Sequence, residues 1–327
     1  MRRFTRRLAL ALLVVIHVIV VFAGFFAPYD PAQQDRDRSF ASPASVHFFD
    51  AQHRFHARPA LTESDGSSVP VSFFVSGVPY KIAGLIPAST HLFGSADGPV
   101  HLLGTDRYGR DQWSRLLYAA QISLFAGLCA AALSMLIAAV FGTVAGFYGG
   151  VCDSVLMRVA EVTLSLPWLL VLFMVRACLP LHISSVIAFL LVTAVMGLVG
   201  WARPARLVRG IALAAKESGF VMSARGFGAS DFYLIRRHVL PETFSVLLTQ
   251  LALLVPQYIM AEVTLSYLGL GVGEPTPSLG NLLASAQSYH VLVSYWWMML
   301  PAVAIIPVIL AYNHVAETLQ RSMGEAQ

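Results

Sequence analysis

Ten charged residues, seven of them cations, gather between Arg203 and Glu242, in RPARLVRGIALAAKESGFVMSARGFGASDFYLIRRHVLPE, a polar segment set between two long apolar tracts. Arg203, Arg206, Arg209, Lys216, Arg225, Arg236 and Arg237 face only Glu217, Asp231 and Glu242. Cations interspersed with Ala and Gly perform no bond-breaking chemistry, but they suit a structured surface that a partner grips. Catalytic groupings are missing elsewhere. The two lysines, Lys81 and Lys216, neither follow Gly nor precede Ser or Thr, which rules out a GxxxxGK[ST] phosphate loop. HExxH and GxSxG are absent as well. Gly269, Gly271 and Gly273 lack the GxGxxG spacing and read as loop formers. His47, His53 and His56, with Asp50 among them, match no metal template and read as solvent-exposed histidines, so no metal site is expected. Cys129, Cys152 and Cys178 show no CxxC spacing and read as small core residues.

The elements that must carry the charged segment are membrane spans. With 57% hydrophobic and 12% charged residues, the chain is too apolar for an ordinary soluble domain. Its net charge of +4 sits at the edges of apolar tracts, where the inside-positive rule accounts for it without a nucleic-acid partner. A retained first span covers Leu8 to Ala27, with Arg2, Arg3, Arg6 and Arg7 inside. Further spans run from Ile122 to Cys152, Val155 to Cys178, Ser184 to Trp201, Thr243 to Tyr267 and Val291 to His314. The expected fold is therefore an all-α polytopic membrane protein with six transmembrane helices. Both termini and the 203–242 segment lie in the cytoplasm, and a small extracytoplasmic insertion separates helices 1 and 2. Residues 1–27 hold the tail and first span, 28–115 the insertion, and 116–327 a core with the other five spans. Alternation at Val69 to Val78 predicts one or two short strands in the insertion. Glu262, an acid within a span, either faces a translocation path or satisfies a hydroxyl or helix end; both readings stand.

Within the cytoplasmic segment, good helix formers predict a helix from Lys216 to Phe227, ended by Gly228 as a left-handed cap. Phe220, Ala224 and Phe227 would share one face, and Ala224 with Gly228 forms a small-xxx-small pair that lets another surface approach. A second short helix would start at Asp231, after Ser230, and end at Pro241. The alternative is an amphipathic helix lying on the membrane, with Arg236 and Arg237 toward anionic lipid.

KESGFVMSARGFGASDFYLIRRHVLPE resembles the EAA loop of ATP-binding-cassette (ABC) importer permeases. Its usual form in the oligopeptide, dipeptide and nickel group is close to KExxYVEAARALGAS followed by RHILPN. HLLGTDRYGRDQWSRLLYAAQISL, FYGGVCDSVLMRVAEVTLSLPWLL and LSYLGLGVGEPTPSLGNLLASAQ are similar to passages of the same group, in the same order. Together with the first span they cover most of the chain outside Gln33 to Pro99, and they look like the C-type member of a two-permease pair. The resemblance implies a coupling helix that docks on an ATPase, carried by Lys216, Glu217, Phe220, Val221, Met222, Ser223, Ala224, Gly228 and Ala229. Met222 stands where the family usually has the Glu of EAA, and Ser223 where it has the first Ala, which removes one charged contact. Implied partners are a B-type permease subunit, two ABC ATPase subunits, an extracytoplasmic substrate-binding protein and the lipid bilayer of a bacterial inner membrane. ATP and Mg would be used by the ATPases, so this chain binds no cofactor and is not itself an enzyme. The implied function is ATP-driven import, with di- or oligopeptides as cargo. A self-contained secondary transporter or channel is the alternative, and it would call for repeat symmetry or several ionisable residues within the membrane.

Overall fold

The computed structural model of the chain describes residues 2–49, 55–62, 68–82, 84–95, 98–177 and 184–324. Helices α1 (Arg2–Val21) and α2 (Ala23–Phe26) precede five strands: β1 (Ser45–Phe49), β2 (Phe55–Thr62), β3 (Ser68–Pro70), β4 (Ser72–Ile82) and β5 (Ile86–Gly94). There follow α3 (Gln112–Tyr148), α4 (Gly150–Ser165), α5 (Trp168–Ala177), α6 (Ser185–Gly200) and α7 (Ala202–Lys216). After α8 (Gly219–Gly226) and α9 (Asp231–Leu234), a π-helical turn (Ile235–Val239) leads into α10 (Leu240–Tyr267), then α11 (Leu279–Ser285), α12 (Tyr289–Ser294) and α13 (Leu300–Gly324). The chain divides into two compact units. One comprises Met1–Leu10, Phe125–Glu262 and Ile309–Gln327, the other Ala11–Leu124 and Val263–Val308.

Length and apolar composition qualify α3, Asp231–Tyr267 and Trp296–Arg321 as membrane spans. Two bent pairs, α4 with α5 and α6 with α7, raise the count to five if each is one span. Five of the six expected spans thus coincide with these helices or bent pairs, whereas the first, expected at Leu8 to Ala27, corresponds to a shorter apolar helix, Arg7–Val21, and local chemistry alters the shapes of others. The third expected span is not one straight helix: Pro167 drives Leu166 into the extended region (φ −78°, ψ 128°), and α4 and α5 diverge by 81°. The last span begins at Trp296 instead of Val291, because α12 ends at Tyr295 (φ −131°, ψ 68°). Pro241 ends no helix. The π turn ahead of it, in which Leu240 N–H reaches back to Ile235 O, places the proline in the first turn of α10, where a missing N–H is tolerated. Cys129 is exposed on α3 rather than part of the core, as suits an apolar side chain that lipid can cover; Cys178 lies outside the described residues.

In the unit holding residues 125–262, the first core lies where α3 meets α7. A Cβ at Gly142 would stand 2.5 Å from Ala205 O, and one at Gly146 would stand 2.6 Å from Arg209 O, so only glycine lets the two backbones touch here. The facing side of α7 is correspondingly small, with Ala205, Val208 and Ala212 fully buried. Asp153 of α4 accepts a two-pronged ion pair from Arg209 of α7. Glu161 of α4 pairs with Arg158 at 3.0 Å and with Arg206 at 3.3 Å.

In the other unit, the insertion is richer in strand than alternation alone predicts. β1, β2 and β3 form an antiparallel sheet in that order, closing on Ala44, Leu61, Val69, Val71 and Val100. β4 and β5 form a separate antiparallel hairpin, with Phe73 opposite Phe93 and Tyr80 opposite Ala88. His91, buried on β5, fastens the hairpin to α2 through Nδ1, which lies 2.8 Å from Gly24 O and 2.6 Å from Ala27 O. Alternation alone does not disclose these strands, since exposed apolar residues such as Phe73 and Phe74 blur it; each strand is fixed by pairing with the next one along the chain.

Candidate functional site

The charged segment folds as a knob of short helices on a common core. Lys216 closes α7 and does not open the next helix, because the chain turns at Glu217 and Ser218. Ser218 takes an extended conformation (φ −67°, ψ 145°), its Oγ donates to Ala215 O at 2.6 Å, and its carbonyl accepts the N–H groups of Val221 and Met222. The predicted helix from Lys216 to Phe227 is therefore broken at its second and third residues, since Ser competes for nearby backbone groups and favours the N-cap.

Gly228 is the left-handed cap that its sequence position suggests, with φ +87°. Its N–H donates to Arg225 O at 2.9 Å, and Ala229 N–H donates to Ala224 O at 3.1 Å, the paired bonds of a Schellman ending. Ser230 then caps α9 by accepting from Tyr233 N at 3.3 Å. Beneath both helices, Val221, Leu234 and Val239 pack with Phe147, Ala212 and Ala215, and Ala224 and Ala229 cover the edge of this cluster. Arg225 braces the turn, pairing with Asp231 at 3.2 Å while its guanidinium lies 5.3 Å from the Phe147 ring centre.

The expected site residues therefore divide by role. Glu217, Phe220, Met222, Ser223 and Gly228 are exposed, Lys216 is half-buried, and Ala224 and Ala229 are half-buried against the core. Val221 is buried within that core and holds the knob from below. Phe220, Ala224 and Phe227 do not share one face: in an eight-residue helix whose buried side is set by Val221, Ala224 follows Val221 inward by the i, i+3 spacing and the two phenylalanines remain outside. Phe227 is 93% exposed and Phe232 72%. With Met222, already among the expected site residues, and with Tyr233 they make up an apolar outer side of the segment, of which Phe227, Phe232 and Tyr233 are additions to the site expected from sequence. For Phe227 a usable signal existed, since its neighbours at helical spacing, Ser223, Ala224, Ser230 and Asp231, offer no large apolar partner. His238 stands between Phe220 and Tyr233, with ring centres 5.6 Å and 5.8 Å away.

A cavity of about 650 Å3 opens in the same unit, bounded by α4, α5, α6, α7, α10 and α13. Glu262 is 1% exposed on α10 and is not among the residues that line this cavity. His47 is exposed, His53 and Asp50 lie outside the described residues, and no group of three or more metal-ligating side chains occurs among the described residues.

In the other unit, two of the passages singled out in the sequence meet at an acid. Glu274 takes bonds from Arg110 at 2.6 Å and 3.3 Å and from Arg115 at 2.9 Å, and Arg110 Nε also reaches Asp106 at 2.7 Å. Arg115 is fully buried, and the Glu274 side chain is 42% exposed. Burial pushes the Glu274 carboxyl upward, but the Arg115 charge and the hydrogen bond from Arg110 outweigh it and hold it below the usual carboxylate range. Burial likewise lowers the Arg110 guanidinium, yet the bond to Glu274 and the charge of Asp106 leave it raised.

The chain matches two family models. Residues 138–325, more than half its length, match the model described as a binding-protein-dependent transport system inner membrane component. Residues 2–43 match the N-terminal TM domain of oligopeptide transport permease C. A dipeptide transport system permease protein of Bacillus subtilis is 38% identical over 224 residues, covering 68% of each chain. A putative peptide transport system permease protein of Brucella suis is 40% identical over 68% of this chain and 73% of its own. A dipeptide transport system permease protein of Haemophilus influenzae is 26% identical, over 97% of this chain and 88% of its own.

Proposed function

The chain belongs to the family of binding-protein-dependent transport system inner membrane components, and from that membership we propose that it is a permease subunit of an ABC importer for peptides. The observation that carries the reading beyond family membership is the knob at 216–239: two short helices locked by a Schellman turn, small residues on the core, and exposed aromatics on the outer face. A surface of this form suits a groove on an ATPase subunit. Closure of two such ATPases on ATP and Mg would push the knob, and through α7 and α10 the spans would switch between outward-open and inward-open packings. ATP hydrolysis then belongs to the ATPases and not to this chain.

On this reading α1 counts as the first of six spans, followed by α3, the bent pair α4 with α5, α6 with α7, α10 and α13, in the bacterial inner membrane with both termini in the cytoplasm. The strand-rich insertion at 28–115 then lies outside, where it helps receive an extracytoplasmic binding protein, and a B-type permease completes the complex. Peptide cargo accords with the names of the relatives.

Purification and reconstitution test the proposal. The tagged chain should bring down an ATPase and a second permease, and the complex should accumulate a dipeptide in liposomes only with ATP and the binding protein. Transport by the chain alone, without ATP, would establish a self-contained secondary transporter instead. Removal of residues 33–99 should lower uptake while ATPase association persists.

A further inference from the structure

The cavity bounded by α4 to α7, α10 and α13 has mostly apolar walls, including Trp168 and Met260, into which three helices each bring a polar residue: Arg203 from α7, Gln257 from α10 and Asn313 from α13. All three are exposed, although Gln257 and Asn313 lie within stretches apolar enough to cross a membrane. Among the described residues, no hydrogen bond or ion pair engages any of these three side chains. The contrast along α7 is sharp. Arg206 is taken by Glu161 and Arg209 by Asp153, so both of the following arginines are neutralised by α4 while Arg203 is left over. An amide or a guanidinium within a membrane domain does not face hydrocarbon unsatisfied; it faces water, another polar group or a ligand. Tyr258 also lines the cavity, but its hydroxyl is already committed to Ser134 at 2.8 Å.

The chemistry these groups lack is specific. A guanidinium presents a planar fork that matches a carboxylate in a two-pronged bond. Gln and Asn each offer a donor pair and an acceptor, which is what a peptide amide needs. Apolar walls with a few convergent polar groups, in a volume within the roughly 300–1,000 Å3 of small-molecule sites, describe a binding site rather than a packing flaw. We propose that this cavity is a substrate site in which Arg203 receives the terminal carboxylate of a short peptide, with Gln257 and Asn313 on its amide groups. This rests on the reading of the chain as a peptide-importer permease. Arg203 is then a specificity determinant inside the membrane domain, acting in addition to any selection by the binding protein.

Saturation-transfer NMR on the purified complete transporter, without its binding protein, tests the assignment with dialanine and dialanine amide as probes. Dialanine should give a signal on the native complex about tenfold stronger than its amide, because one charge-assisted bond is withheld from the amide. Arg203→Gln should reduce the dialanine signal to the level of the amide, and Arg203→Lys should retain part of it. Copurification of the ATPase with each variant verifies assembly. Equal signals from the two probes, no dialanine signal on the native complex, or a full signal from an assembled Arg203→Gln complex would each overturn the assignment. Uptake separates this from the parent reading. If the native complex fails to accumulate dialanine with ATP and binding protein, the importer reading fails; if it accumulates dialanine and Arg203→Gln does so equally, only the role of Arg203 fails.

Discussion

Ala229 donates its N–H to the carbonyl of Ala224 at 3.1 Å, and this bond closes the knob because Gly228 between them takes φ +87°. Nothing lies within 4 Å of where a Gly228 side chain would begin, so the glycine is required for its backbone conformation and not for space. Gly228→Val should therefore cost about 1–2 kcal/mol locally, loosen the turn that joins α8 to α9, and reduce both ATPase copurification and peptide uptake. Gly228→Asn, which tolerates the left-handed region, should retain most of both. Undiminished uptake by Gly228→Val would disconnect this turn from coupling.

Phe227 and Phe232 touch little of their own chain, so Phe227→Ala and Phe232→Ala should leave the thermal midpoint of the purified permease unchanged. If the outer face meets the ATPase, each truncation should weaken the complex about tenfold or more, as buried aromatic anchors do at interfaces. Affinity measured with detergent-solubilised subunits decides it, and wild-type affinity in both variants would move the contact elsewhere.

Asp153 and Arg209 join α4 to α7 behind the knob. Asp153→Asn and Arg209→Gln should each lower the thermal midpoint, whereas the swapped pair Asp153→Arg with Arg209→Asp should recover part of the loss. A double-mutant cycle should give a coupling above about 0.5 kcal/mol. Additive losses would mean that the two side chains act independently.

Glu274 brings a pH dependence whose sign follows from its lowered carboxyl. The stabilisation it contributes is fully present above the ordinary value of 4.5 and disappears as pH falls through the lower folded-state value. Arg110, raised by the same contacts, stays charged throughout that window. Thermal midpoints of the native chain and of Glu274→Gln should differ most at neutral pH and converge as acidification passes the lowered folded-state value. A difference that does not change with pH would remove Glu274 from the titration.

The loop region shows how far local signals reach. Gly228 as a cap and Ser230 as an N-cap are legible because each depends on a single residue's backbone preference. The inward turn of Ala224 and the burial of Val221 are not, because an eight-residue helix has too few turns for periodicity to tell its inner face from its outer one. Pro167 illustrates the converse: its missing N–H is local, yet whether it kinks a span or breaks it by 81° depends on the neighbours that hold α5.

By itself the sequence determined the membrane class, the places of most spans, the charged helix–glycine–helix segment and its resemblance to importer permeases, because apolar run length, charge placement and cap chemistry are written in consecutive residues. Tertiary structure decided which cations are neutralised and which remain available. Arg203, Arg206 and Arg209 look alike along the chain, and only the approach of Glu161 and Asp153 on α4 sets Arg203 apart. The same holds for Glu274, 164 residues from Arg110. Ion pairing falls off within a few ångströms, so it depends on distances in space that sequence separation does not encode.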